Sequence, residues 1–218
     1  MNKKLVILDL ICYAVIPFLI WTYGKEPLGD YIAILLSTFP GLIYTNYRFV
    51  KEKEFSVAGL FVITSLLIST AVNLVSTSAN NMLWNQVYLG FGVSIVFLIS
   101  MIIRKPLALY FTVDLAFLYG DSREFSKRLF SSQGLFMWFQ LLNLLFVVRA
   151  VFVSLLKASL VKTYGAEGYD KVIIYMNISN WVFSGLILLG YLFINKKVKQ
   201  HLDQQRERMK DFVVGSDV

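Results

Sequence analysis

Residues 82–103 read MLWNQVYLGFGVSIVFLISMII, a run without one charged side chain that stops at Arg104-Lys105-Pro106. At 1.5 Å per residue a helix of this run covers about 33 Å, enough to cross the roughly 30 Å hydrocarbon layer of a bilayer. The run does not alternate strictly between apolar and polar positions, so it reads as a helix rather than as a barrel strand. Two cations favour the membrane interface, and Pro106 disfavours helical geometry in the residue before it. The segment therefore has the composition and the ending of a transmembrane span.

Working upstream, the uncharged turn Thr77-Ser78-Ala79-Asn80-Asn81 separates this span from another apolar run at about 56–76, so the two form a helical hairpin. Spans at about 31–47, with a kink expected at Pro40-Gly41, and at about 5–23, with Pro17 inside, precede it. The polar stretch 24–30 is a turn between them, and the cluster Arg48, Lys51, Glu52, Lys53, Glu54 ends the later one. Lys3 and Lys4 before an apolar run imitate a signal peptide, yet Thr22-Tyr23-Gly24 offers no small-x-small cleavage site, so the first span is read as uncleaved.

Downstream, Leu107–Tyr119 is apolar but too short to cross, and Asp114 is expected to interrupt it; an interfacial or re-entrant helix fits. Asp121 with Glu124 reads as a capping box opening a short helix, on which Phe125, Leu129 and Phe130 oppose Lys127 and Arg128. Spans at about 135–156 and 172–194 follow. The tail 195–218 is charged, and Val198, Leu202, Met209 and Val213 recur there at helical spacing, as in a helix lying on the membrane or pairing with another. The expected fold is all-α: a polytopic membrane bundle of about six transmembrane helices.

Composition agrees. Of 218 residues 57% are hydrophobic and 16% charged, with a mean hydropathy of +0.63, whereas soluble domains carry roughly 25% charged residues. The net charge of +7 comes from cations beside apolar spans, which sets orientation and calls for no nucleic acid partner. Placing the N-terminus, the loops after spans two and four, and the tail on one side gathers 16 Lys and Arg there. The other side holds four, Lys25, Lys157, Lys162 and Lys171, so both termini are expected in the cytoplasm of a bacterial cytoplasmic membrane. The single cysteine, Cys12, rules out an internal disulfide, and no metal site or cofactor is expected.

Asp9 and Arg149 are the ionisable residues inside these spans, where a charge at the bilayer centre costs roughly 2.5 to 3.5 kcal/mol. Asp9 lies near the cytoplasmic edge beside Lys3 and Lys4. Arg149 lies in the outer half of its span, either snorkelling to outer head groups or lining a cavity that receives an anion. Ser65, Ser69 and Asn73 share one face of span three, Asn177, Asn180 and Ser184 form a similar stripe on span six, and span five adds Gln140 and Asn143. Such groups serve as interhelical hydrogen-bond glue, worth roughly 0.6 kcal/mol each, or as a polar cavity drawn from Asp9, Ser69, Asn73, Asn143, Arg149, Asn177 and Asn180. No HExxH, Walker loop, Asp-rich metal motif or GxSxG elbow occurs, and His201, the single histidine, sits in the charged tail, so an enzyme is not expected.

The sequence Arg104-Lys105-Pro106-Leu107 after span four, the early proline-containing span, the basic loop after span two and the segment Trp138-Phe139-Gln140-Leu141-Leu142-Asn143 together resemble the bacterial intracellular septation protein A group and its multi-pass relatives. The resemblance covers most of residues 5–194. It implies a non-enzymatic role in cell-envelope maintenance, associated with septation and elongation machinery. Membrane lipids are expected partners of the spans, with envelope proteins as further partners and a homo-oligomer as one assembly. The chain departs from that group in its longer 107–134 region, in Arg149 and in its extended tail, where Lys196, Lys197, Lys199, Arg206 and Arg208 are placed to contact anionic lipid. The alternative is a small-molecule or lipid transporter, suggested by Pro17 and Pro40-Gly41 as helix breaks and by the polar faces.

Overall fold

The computed structural model describes residues 11, 15–52 and 56–216, so Asp9 and Cys12 lie outside the described residues. Among the described residues there are seven helices: α1 (Ile16–Glu52), α2 (Val57–Leu74), α3 (Ala79–Ile102), α4 (Leu107–Leu118), α5 (Arg123–Phe130), α6 (Gln133–Tyr164) and α7 (Tyr169–Ser216). Five stretches are long and apolar enough to cross a bilayer: Ile16–Tyr44, Val57–Leu74, Ala79–Ile102, Gly134–Tyr164 and Tyr169–Gln204. The chain is an all-α, multi-pass membrane protein. Its contacts divide into two compact units, one built from residues up to Val93 with Val151–Ile178, the other from Ser94–Ala150 with the residues from Ser179 onward.

In the first unit, α1 is two helical arms joined at Gly29, whose φ of 76° and ψ of 161° suit glycine and little else. A Cβ placed on Gly24 would stand 3.7 Å from the Cβ of Ala33, whereas nine residues of straight helix span about 13 Å. The chain therefore doubles back at Gly29. The expected turn over 24–30 is narrower than its composition suggests, because Pro27 and Leu28 remain helical. Pro40 and Gly41 keep helical dihedrals too, so the backbone break within α1 falls at Gly29.

Ser56 caps α2, its hydroxyl accepting from the Gly59 N–H at 2.9 Å. Ser78 does the same for α3, accepting from the Asn81 N–H at 3.2 Å, so the helix starts at Ala79 and takes Asn80 and Asn81 into its first turn. Trp21, Ala33, Ile34, Ala79 and Met82 form the buried cluster of this unit, with Tyr31, Ala166 and Tyr169 packed against it. Trp21 meets Tyr169 edge to face at 4.8 Å, and the Lys25 ammonium donates to the Glu167 carbonyl at 3.1 Å. The Gly29 reversal, the α2–α3 turn and the α6–α7 turn thus share one end of the unit.

In the second unit, α4 is a short helix as expected, with Asp114 the charged residue in its apolar run. The carboxylate of Asp114 lies 3.6 Å from Arg123 Nε and is nearly buried. The capping residue of α5 is Ser122 rather than Asp121, with its hydroxyl accepting from the Phe125 N–H at 3.2 Å. Asp121 is already committed to ending α4: Gly120 takes a φ of 102° and the Asp121 N–H reaches back to the Ala116 carbonyl at 3.1 Å. Glu124 pairs with Arg128 instead, at 2.6 Å. Ala108, Leu109, Val113, Phe130, Leu135, Phe139, Leu142 and Ile194 form the core of this unit, while Phe125 stays 54% exposed.

Both long helices outrun their expected bounds. α6 ends at Tyr164 rather than near Leu156, and α7 continues without interruption from the span into the tail as far as Ser216. No glycine or proline stands between Leu135 and Tyr164 or between Tyr191 and Val214, and Lys, Gln, Arg and Glu in the tail are good helix formers.

Candidate functional site

The Arg-Lys-Pro-Leu motif is a corner between α3 and α4. The Arg104 N–H donates to the Met101 carbonyl at 3.1 Å and the Lys105 N–H to the Ser100 carbonyl at 2.9 Å, the two bonds of a Schellman stop, with Arg104 at φ 55° where glycine is usual. Pro106, fully buried, then opens α4 but has no side-chain oxygen with which to cap it. Asn143 supplies that cap from α6. Its Oδ1 accepts from the Ala108 N–H at 3.1 Å, and its Nδ2 donates to the Phe97 carbonyl at 2.9 Å and to Ser100 Oγ at 3.2 Å. Gln140 adds a bond from Nε2 to the Met101 carbonyl at 3.2 Å.

The two short motifs are therefore parts of one device, in which amides on α6 satisfy backbone groups left open where α3 ends and α4 begins. Arg104 and Lys105 themselves are exposed. A side chain in the left-handed region costs about 1 kcal/mol, so Arg104→Gly is expected to raise the thermal unfolding midpoint in detergent, by an amount equivalent to about 0.5–1 kcal/mol. An unchanged or lower midpoint would show that the guanidinium, not the turn, determines the residue there.

Arg149, half-buried in the same unit, donates from Nη2 to Asn180 Oδ1 at 3.2 Å, so two of the sequence-derived candidates do meet. Its Nε is buried without an acceptor, and among the described residues no carboxylate lies within ion-pair distance. Asn143 is fully engaged by Phe97, Ser100 and Ala108, none of them another candidate.

The first unit contains a polar chain absent from the sequence reading. Lys157, on the part of α6 beyond the expected span end, donates to Gln86 Oε1 on α3. Lysine can only donate, which orients the Gln86 amide and leaves its Nε2 to donate to Asn73 Oδ1 at 3.1 Å. Asn73 is buried on α2, and its carbonyl accepts from the Tyr31 hydroxyl at 3.1 Å. Lys157 and Asn177 also line a cavity of about 300 Å³, with Ser37, Thr38 and Tyr169. The hydroxyl protons of Ser37 and Thr38 are spent on the Ile34 and Leu35 carbonyls of their own helix, at 2.6 and 2.7 Å.

Of the remaining candidates, Ser69 is half-buried on α2 and takes no part in this chain. Lys157 and Gln86 are the functional candidates that composition did not reveal; the usable signal was Ala158, Leu160 and Val161, which prolong the apolar pattern past Leu156. Among the described residues no group of three or more His, Cys, Asp or Glu side chains is arranged to hold a metal. Comparison with protein-family models, with curated proteins and with solved structures finds no match.

Proposed function

We propose that the chain is a six-span protein of the bacterial cytoplasmic membrane with both termini inside, acting without catalysis in envelope maintenance, as its likeness to the intracellular septation protein A group suggests. One observation supports the topology above others. The Gly29 reversal and the turns after α2 and α6 gather at one end of the first unit, and the cation-rich stretches 48–53, 104–128 and 196–210 follow the opposite ends of the helices that run from those turns. Counting the two arms of α1 separately then makes six crossings.

In a Cys12→Ser background, Asn80→Cys and Glu167→Cys are expected to react with a membrane-impermeant maleimide in intact cells, and Lys196→Cys to react only after permeabilisation. The reverse pattern would refute the orientation. A lipid- or anion-handling role is the second reading. It is favoured by the cavity beside Lys157 and Asn177, which Pro17 and Gly41 also line.

A further inference from the structure

Lys157 presents an electrostatic problem within its own unit. Its backbone lies seven residues, about 10 Å, before the helix end at Tyr164, within the apolar stretch Gly134–Tyr164, and its hydrogen-bond partner is the neutral amide of Gln86. Among the described residues no carboxylate stands within 4 Å of it. A cation held between apolar helices without a carboxylate is costly and is ordinarily matched by a counter-charge. One N–H of the three is used by Gln86, which leaves two donors, and the cavity that Lys157 lines adds the Asn177 amide, while the Tyr169 hydroxyl is taken by Ser37.

Apart from Ser37 and Thr38, whose protons are spent on their own helix, the rest of the wall is apolar, with Phe18, Leu42, Leu66, Ile173 and Met176 among it. Phe18 is also 44% exposed, so the cavity opens beside an apolar side chain on the outer surface of its helix. At about 300 Å³ the space is at the small end of ligand sites, room for a head group and the first few carbons of a chain but not for a whole lipid.

We propose that this cavity binds the anionic head group, carboxylate or phosphate, of a single-chain amphiphile, with Lys157 as counter-ion, Asn177 as hydrogen-bond donor, and the chain leaving past Phe18. The inference rests on the ligand-cavity reading and is independent of the orientation and the envelope role. The ammonium supplies charge, the amide supplies direction, and the apolar part of the wall selects an amphiphile over a free ion.

The test uses the full chain in phosphatidylcholine nanodiscs, which expose both faces, so a failure of binding and a failure of the topology assay are separate results. Radiolabelled dodecyl phosphate and laurate are the probes, and inorganic phosphate and acetate are the competitors. The wild type is expected to bind both amphiphiles saturably. Lys157→Met should weaken binding about tenfold, in keeping with loss of a charge-assisted bond, while Lys157→Arg should stay within about threefold. Leu66→Trp, which fills the cavity and keeps the cation, should abolish binding and covers the case in which Lys157→Met fails to fold. Unaltered binding by Lys157→Met or Leu66→Trp would overturn the proposal. Competition by inorganic phosphate or acetate at concentrations matching the amphiphiles would overturn it in favour of a free anion.

Discussion

Asn143→Leu is expected to lower the stability of the detergent-solubilised protein by about 2–3 kcal/mol, read as a fall in the midpoint of thermal or SDS-induced unfolding. Interhelical side-chain bonds in membrane proteins average only about 0.6 kcal/mol, because the unpaired groups find other partners. The Asn143 amide differs in what it leaves behind. The Ala108 N–H is in the first turn of α4, where no intrahelical acceptor exists, and Pro106 cannot cap it. Leucine would fill the volume yet orphan that buried donor, whose desolvation costs about 1–3 kcal/mol, and would remove two further bonds to Phe97 and Ser100. Asn143→Asp keeps the acceptor and loses both donors, so it should fall between leucine and the wild type. A leucine variant that unfolds at the wild-type midpoint would mean that water already serves this corner.

The second large effect is expected at Gly90 on α3. A Cβ there would overlap the hydroxyl of Ser154 on α6, a residue only 3% exposed. Small residues at such crossings let two backbones approach closely, and overpacking a closed contact costs about 1–3 kcal/mol. Gly90→Ala should destabilise by that amount and Gly90→Leu should prevent assembly of the first unit. Ser154→Ala removes the colliding oxygen and leaves a Cβ–Cβ separation of 3.4 Å, so the double variant Gly90→Ala, Ser154→Ala should recover most of the loss. Equal stability of the single and double alanine variants would show that Ser154 simply turns aside.

The apolar runs made the helices legible because period and length are local properties, and the short polar stretch around Gly29 marked the reversal correctly. Its width was harder to read, since Pro27 and Leu28 carry turn-like context yet remain in the helix. Lys157 reads as the start of an external loop because a charge ordinarily ends a span; here Ala158 to Tyr164 contains no breaker, and the long side chain reaches Gln86 across the helix contact. Asp121 and Ser122 are adjacent residues of the same capping type, and only the backbone ending of α4 decides which of them starts α5. Asn143 stood out as a polar residue in a span. Its partners are main-chain groups, which no side-chain pattern encodes.

The Asn143 bonds have a consequence for how the protein is made. The acceptor for the Ala108 N–H lies 35 residues further along the chain and the donor to the Phe97 carbonyl 46 residues further, so ribosomal synthesis delivers the corner well before the amide that completes it. During that interval those groups depend on water or on the insertion machinery. A nascent chain arrested before residue 133 therefore presents an unfinished bend, and the exit of α6 into the bilayer is the event that closes it.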